Sequence, residues 1–320
     1  MRVRNTEKVY FPYMKRPTFF IAGAPRCGTT ALYTYLSAHP NIFLPKIKEL
    51  HYFASDFPDL HKIVFKSLDD YLKLFAETSD RHLAVGEVSP LYIYSKVALE
   101  NIKKFDPSAK IILILRNPVD FVPSIHQLNL NLLRENEQDL VKAWELQELR
   151  RQGKMIPQGC RAPELVLYGE LGLFGKHLER VFQTFSREQV LATLFDDFAT
   201  HPKGVYDSIL SFLGVPSDNR EEFPQINAGY EQRSKLLAGL IHPPRPIYRL
   251  FMKAISLLGT GFMEQISVVY NKVEVFNTRR ASRSPIDPVF RAKLRAYFKD
   301  DIRKLSSLIS RDLSAWLVED

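Results

Sequence analysis

The chain has 320 residues, 45% of them hydrophobic and 25% charged, with a net charge of +8. This is a globular composition and excludes a disordered chain; the two cysteines, Cys27 and Cys160, exclude a disulfide framework and suit a reduced, intracellular protein. No apolar run reaches about 18 residues, so no spanning helix is expected. The opening stretch MRVRNTEKVYFPYMKRP lacks the apolar core of a secretory signal, and a cytoplasmic location is expected if the chain is whole.

The charge is unevenly spread. Residues 231–320 hold 16 Lys/Arg against 9 Asp/Glu, whereas residues 1–230 hold 28 against 27. A basic segment suits an anionic partner such as a nucleotide, a sulfated or phosphorylated substrate, nucleic acid or a membrane surface; the plainer alternative is a solvated face.

In chain order, TFFIAGA (18–24) reads as a strand entering a turn, and TTALYTYLSAHP (29–40) as a helix stopped by Pro40. NIFLP (41–45) is a short strand, followed by a loop, and HLAVGEVSP (82–90) is another strand. KVALENIKKFDP (96–107) is an amphipathic helix; AKIILILRNP (109–118) and QVLATLFDDF (189–198) are continuous apolar runs of the kind buried on both faces of a parallel sheet. DLVKAWELQELRRQ and LGLFGKHLERVFQTF read as helices between them, and residues 283–316 as a turn followed by a long helix. Strands alternating with helices predict an α/β protein with a central parallel β-sheet flanked by helices. With no convincing linker, residues 1–320 read as one domain. Ligands of such sheets gather at the carboxyl ends of the strands, where the 23–30 loop, Glu87 and Arg116 fall.

The loop itself is GAPRCGTT: Gly23, Ala24, Pro25, Arg26, Cys27, Gly28, Thr29 and Thr30. Between a strand and a helix, its backbone N–H groups and the helix amino terminus make an anion site, with the two threonine hydroxyls as added donors. The lysine that would follow Gly28 in an ATP-binding loop is absent, which counts against a kinase or NTPase. Cys27 reads as a small residue filling the turn.

FFIAGAPRCGTTAL resembles the 5′-phosphosulfate loop of sulfotransferases that use 3′-phosphoadenosine 5′-phosphosulfate (PAPS), whose members carry Lys or Arg where this chain has Arg26. IILILRNPVDFVPSIHQ (111–127) resembles the family's 3′-phosphate motif, a strand ending in Arg with Ser eight residues later, here Arg116 and Ser124. PKIKELHYF (45–53) is similar to a segment of heparan-type and bacterial members in which a Glu lies beside the transferred group; here it is Glu49. The segment from SPIDPVFRAKL to DLSAW is similar to the C-terminal end of many bacterial members.

The resemblance implies a P-loop-like sulfotransferase fold, PAPS as sulfuryl donor with no metal, and an acceptor that is a carbohydrate, a lipid or a small metabolite. Two separated anions on one nucleotide call for two cationic clusters: Arg26 with the loop amides, and Arg116 with Ser124. The plain alternative for Arg116 is an ion pair with Asp120. By position, TRRASRSP (278–285) is the family's basic loop over the nucleotide, with Arg280 as nearest match and Ser282 and Arg283 beside it, although the family's Lys-Gly-Arg string is absent. Glu49 is the expected general base and His51 its rival. Lys48 is a candidate contact to sulfonate or acceptor, against a plain pairing of Glu49 with Lys48. Glu87 is expected near the acceptor, although Val88 stands where heparan-type members carry Lys. Residues 231–263 are read as an acceptor-side lid, a surface helix meeting lipid, or a packing helix. Rival classes are a P-loop kinase or NTPase, a nucleic-acid-binding protein and a non-catalytic nucleotide binder; no RNA- or DNA-binding motif is present.

Overall fold

Five short, strongly apolar segments form one parallel sheet in a computed structural model that describes residues 15–57, 59, 65, 67–226, 230–243, 245–256, 266, 269, 272–273, 275–280 and 286–318. The strands are β1 (Phe19–Gly23), β2 (Ile42–Phe43), β3 (Ala84–Val88), β4 (Lys110–Leu115) and β5 (Val190–Leu194). Their order is β2-β3-β1-β4-β5, and every neighbouring pair is parallel. All five residues of β1 are buried, as are Ile111–Leu115 of β4, which is why these strands read as unbroken apolar runs.

The helices that matter for the site are α1 (Thr29–Ser37), α2 (Ala98–Phe105), α3 (Pro118–Asn131), α4 (Phe174–Thr184), α5 (Phe195–Thr200) and α6 (Pro202–Leu213). A two-stranded antiparallel sheet, β6 (Tyr230–Gln232) with β7 (Thr278–Arg280), brackets α7 (Lys235–Ile241) and α8 (Arg245–Ser256) in sequence. The chain closes with α9 (Pro288–Leu308), which packs on α3 and α4 through Phe290, Leu294, Phe298, Ile302 and Leu305, a buried stripe of i, i+4 and i, i+3 steps. Asp301 of α9 accepts the backbone N–H groups of Gly175 and Lys176, both at 2.8 Å, and so caps the first turn of α4.

Two elements differ from their sequence pattern. QVLATLFDDF is not strand throughout: β5 stops at Leu194 and α5 begins, with Asp196 and Asp197 in its first turn, where acidic side chains are favoured. The segment after Arg116 is a full helix, α3, despite Pro123 within it. Its start is well specified: the Asn117 side chain accepts the N–H of Val119 at 3.0 Å, and Pro118 takes the first helical position, which needs no N–H donor.

Gly28 joins the loop to α1. Its φ of 92° lies in the left-handed region, and a Cβ there would sit 2.9 Å from Cδ1 of Phe198. Gly28→Ala is therefore expected to lower stability by about 1–3 kcal/mol, read as an earlier midpoint in denaturant unfolding with an unchanged slope. An unchanged midpoint would show that the loop relaxes freely.

Candidate active site

The order of the strands reverses around β1, so the segments leaving β1, β3 and β4 emerge side by side at one end of the sheet. From β1 comes the loop Ala24–Gly28, whose last residue caps α1 and leaves the first-turn N–H groups directed outward. Thr29 is buried and Thr30 half-buried beneath them. Lys48 Nζ donates to Thr30 Oγ1 at 2.8 Å. A lysine thus reaches the first turn of α1 from another segment, although none follows Gly28 in the chain. Glu49 is not paired with it.

Arg26 has a left-handed backbone, φ 63°, a conformation that a non-glycine residue holds only when its surroundings impose it. Its side chain crosses to α3, where Nε donates to Ser124 Oγ at 3.1 Å. From the end of β4, the buried Arg116 sends Nη1 to the carbonyl oxygen of Arg26 at 3.4 Å, with its guanidinium 4.5 Å from the centroid of the Phe195 ring. Asp120 is engaged elsewhere: it accepts from Arg291 Nη1 of α9 at 2.9 Å, so the alternative pairing with Arg116 does not form. The sequence predicts two cationic pockets at opposite ends of a nucleotide. In the structure the two are contiguous, joined by the Arg26–Ser124 hydrogen bond and the contact of Arg116 with the Arg26 carbonyl.

Glu49 and His51 occupy a second strained turn, with φ of 59° and 51°. The Glu49 N–H donates to the Val88 carbonyl at 2.7 Å, which ties this turn to the end of β3. The Glu49 side chain is 49% exposed, and its Oε2 lies 3.7 Å from Nε2 of the buried His51. An open carboxylate beside an enclosed imidazole can accept a proton from a hydroxyl or amine brought next to it.

Glu87 does not occupy an acceptor surface. It is 1% exposed, and three hydroxyls point at its carboxylate: Tyr71 Oη at 2.5 Å on Oε2, and Ser89 Oγ and Tyr92 Oη at 2.6 Å each on Oε1. Burial pushes its carboxyl above the ordinary range, and the three hydrogen bonds pull it back in part. Two of these hydroxyls are engaged on their other side too. Ser89 Oγ accepts the N–H of His51 at 3.1 Å, and Tyr92 Oη accepts the N–H of Phe53 at 3.2 Å. Glu87 thus holds the Glu49–His51 turn from beneath, through two hydroxyl bridges. Ser89, Tyr92 and Tyr71 are not among the candidates of the sequence; Ser89 and Tyr92 fall in the Ser- and Tyr-bearing stretch GEVSPLYIY, whereas nothing local marks Tyr71.

Cys27 is fully buried, and burial pushes its thiol up to about 12 against the opposing pull of Arg116 and Arg26. It fills the turn as a small apolar side chain. Lys46, the other lysine near this turn, pairs with Glu77 at 2.7 Å on the surface. Arg280 lies in β7 opposite Tyr230; Ser282 and Arg283 fall outside the described residues. That small sheet meets the end of α3, where the Gln232 amide donates to the Asn131 carbonyl.

A glycine loop, a helix amino terminus and two guanidinium groups, set where a parallel sheet reverses its order, are the parts from which an anion site in an α/β protein is built. The sulfotransferase domain model matches residues 16–230, and the chain belongs to that family. Among curated relatives, the bifunctional heparan sulfate N-deacetylase/N-sulfotransferase 1 of Xenopus laevis is 29% identical over 213 residues, and the N-deacetylase/N-sulfotransferase 4 of Mus musculus is 30% identical over 211 residues. Each alignment covers 62% of this chain but only 22% of the relative, so the chain spans about a fifth of their length. A solved sulfotransferase from Alicyclobacillus acidocaldarius superposes with a TM-score of 0.68 at 27% identity, over 94% of this chain and 99% of that one.

Two outcomes test this geometry. Because the thiolate is the reactive form, Cys27 at about 12 and Cys160 at about 11 should both resist iodoacetamide at pH 8 in the native state and react after denaturation; rapid native labelling of Cys27 would show an open loop. Glu87→Gln should loosen the turn above it: exchange of the His51 and Phe53 amides should quicken, at a stability cost of about 1–3 kcal/mol. Unchanged protection of those two amides would mean that the turn is held by other contacts.

Proposed function

We propose that the chain transfers a sulfuryl group from PAPS to a hydroxyl or amine of a carbohydrate acceptor. The observation that carries this reading is the meeting of three segments: the Arg26 loop, the Arg116–Ser124 pair that touches it, and the Glu49 turn, which Lys48 joins to Thr30 of α1. A donor with an adenosine 3′-phosphate gives the second guanidinium a purpose that ATP does not. Family membership and the named activity of the heparan sulfate relatives support the transfer and the acceptor class. Val88 in place of a lysine argues for an acceptor less anionic than heparan sulfate.

PAPS supplies the activated sulfuryl group. In this reading the loop amides and the α1 amino terminus bind its 5′ end, and Arg26, which reaches from the loop to Ser124, lies between the two anionic groups and offsets the negative charge that grows on the leaving phosphate. Arg116 and Ser124 hold the 3′-phosphate, with Phe195 keeping the Arg116 plane in place. Glu49 takes the acceptor proton. His51 steadies the carboxylate and is itself fixed by Ser89. Lys48 contributes positive charge next to Thr30. No covalent enzyme intermediate is required, consistent with the inert Cys27.

Adenosine 3′,5′-bisphosphate should raise the melting temperature well above the effect of equal ATP. Arg116→Ala should erase that preference. Glu49→Gln should keep the bisphosphate shift yet lower sulfuryl transfer to a carbohydrate acceptor by about 10²–10⁴-fold. Equal stabilisation by ATP and the bisphosphate would sink the donor assignment, and full turnover by the Glu49 variant would remove the base.

A further inference from the structure

Helix α8 turns its two faces the opposite way from an ordinary surface helix. Its polar and aromatic side meets the body of the protein: Arg249 pairs with the Asp59 carboxylate, itself 1% exposed, and the Arg161 guanidinium lies 3.3 Å from the centroid of the Tyr248 ring. Its apolar side faces outward, with Ile247 58%, Leu250 71% and Phe251 51% exposed. The preceding helix does the same: Ala238 and His242 are buried, whereas Leu236 and Leu240, one turn apart, are 86% and 79% exposed. Apolar side chains at i, i+3 and i+4 that face water form a stripe that calls for a cover.

The same region holds most of the net charge. Residues 231–283 contain nine Lys/Arg and three Asp/Glu, giving +6 of the chain's +8. Arg233, Lys253, Lys272 and Arg279 are exposed there. A partner must therefore satisfy apolar side chains and positive charge together. A second copy of the chain would set positive charge against positive charge if it used the same face. A soluble acidic polymer would meet the cations and leave Leu236, Leu240, Leu250 and Phe251 in water. Anionic headgroups above hydrocarbon satisfy both.

We propose that the outer face of α7 and α8 docks on an anionic lipid bilayer, with Leu236, Leu240, Ile247, Leu250 and Phe251 in the headgroup boundary and the surrounding cations on the headgroups. Docking of this kind does not depend on which group the active site transfers. The Arg249–Asp59 pair anchors α8 to the body of the protein and leaves its opposite face for the bilayer.

The test uses the full chain and co-sedimentation with phosphatidylcholine vesicles, with and without phosphatidylserine. Binding to the mixed vesicles is expected, weakening with salt and on the order of tenfold or more poorer on phosphatidylcholine alone. The double substitution Leu250→Asp and Phe251→Asp, and separately Leu236→Asp with Leu240→Asp, should each abolish it while leaving the circular dichroism and thermal melt unchanged. No binding to the mixed vesicles, equal binding to both compositions, or binding that survives both double substitutions would overturn the proposal. So would lipid-free dimerisation in analytical ultracentrifugation that these substitutions remove, since a second copy would then be the cover.

Discussion

The central position of β1 constrains the rest of the molecule. Buried along its whole length between β3 and β4, it can release the chain only at its carboxyl end, into the groove where the strand order reverses. The turn from there into α1 must be tight: a Cβ at Gly28 would press on the Phe198 ring. A tight turn into a helix exposes backbone N–H groups to whatever lies above them. The anion-binding property thus follows from packing beneath the loop as much as from the loop's own residues.

Around that turn the protein concentrates positive charge and backbone strain. Arg116 is held by stacking on Phe195 and by the Arg26 carbonyl, while Arg26 leans on Ser124. Two neighbouring guanidinium groups repel one another, and each left-handed non-glycine residue costs roughly 1–3 kcal/mol. The surrounding contacts offset those costs and leave a preorganised electropositive site. An anion arriving there meets donors already in position, with little reorganisation left to perform.

Glu87 shows how a carboxylate can matter to a site without lining it. Its charge is enclosed, yet three hydroxyls converge on it, and two of them pass the constraint on to the backbone of His51 and Phe53. The exposed Glu49 needs such support, because an open side chain on a strained turn has little packing of its own. One buried acid is positioned to shape the conformation of the exposed one.

Much of this was legible before folding was considered. The strand, glycine loop and helix over residues 18–40, the Arg116–Ser124 spacing and the parallel α/β class are written in local patterns, because hydrophobic period, turn chemistry and helix starts act over a few residues. The start of α3 was obscured by its prolines, and the end of β5 by an apolar run that continues into a helix. Other features were decided only by tertiary structure. Arg26 and Ser124 are 98 positions apart, and His51 and Ser89 are 38 apart. Whether Glu87 faces acceptor or core, whether Lys48 reaches α1, and which side of α8 meets water depend on contacts between distant segments. Such contacts form only once the sheet has set the strand ends side by side, and no local period encodes them.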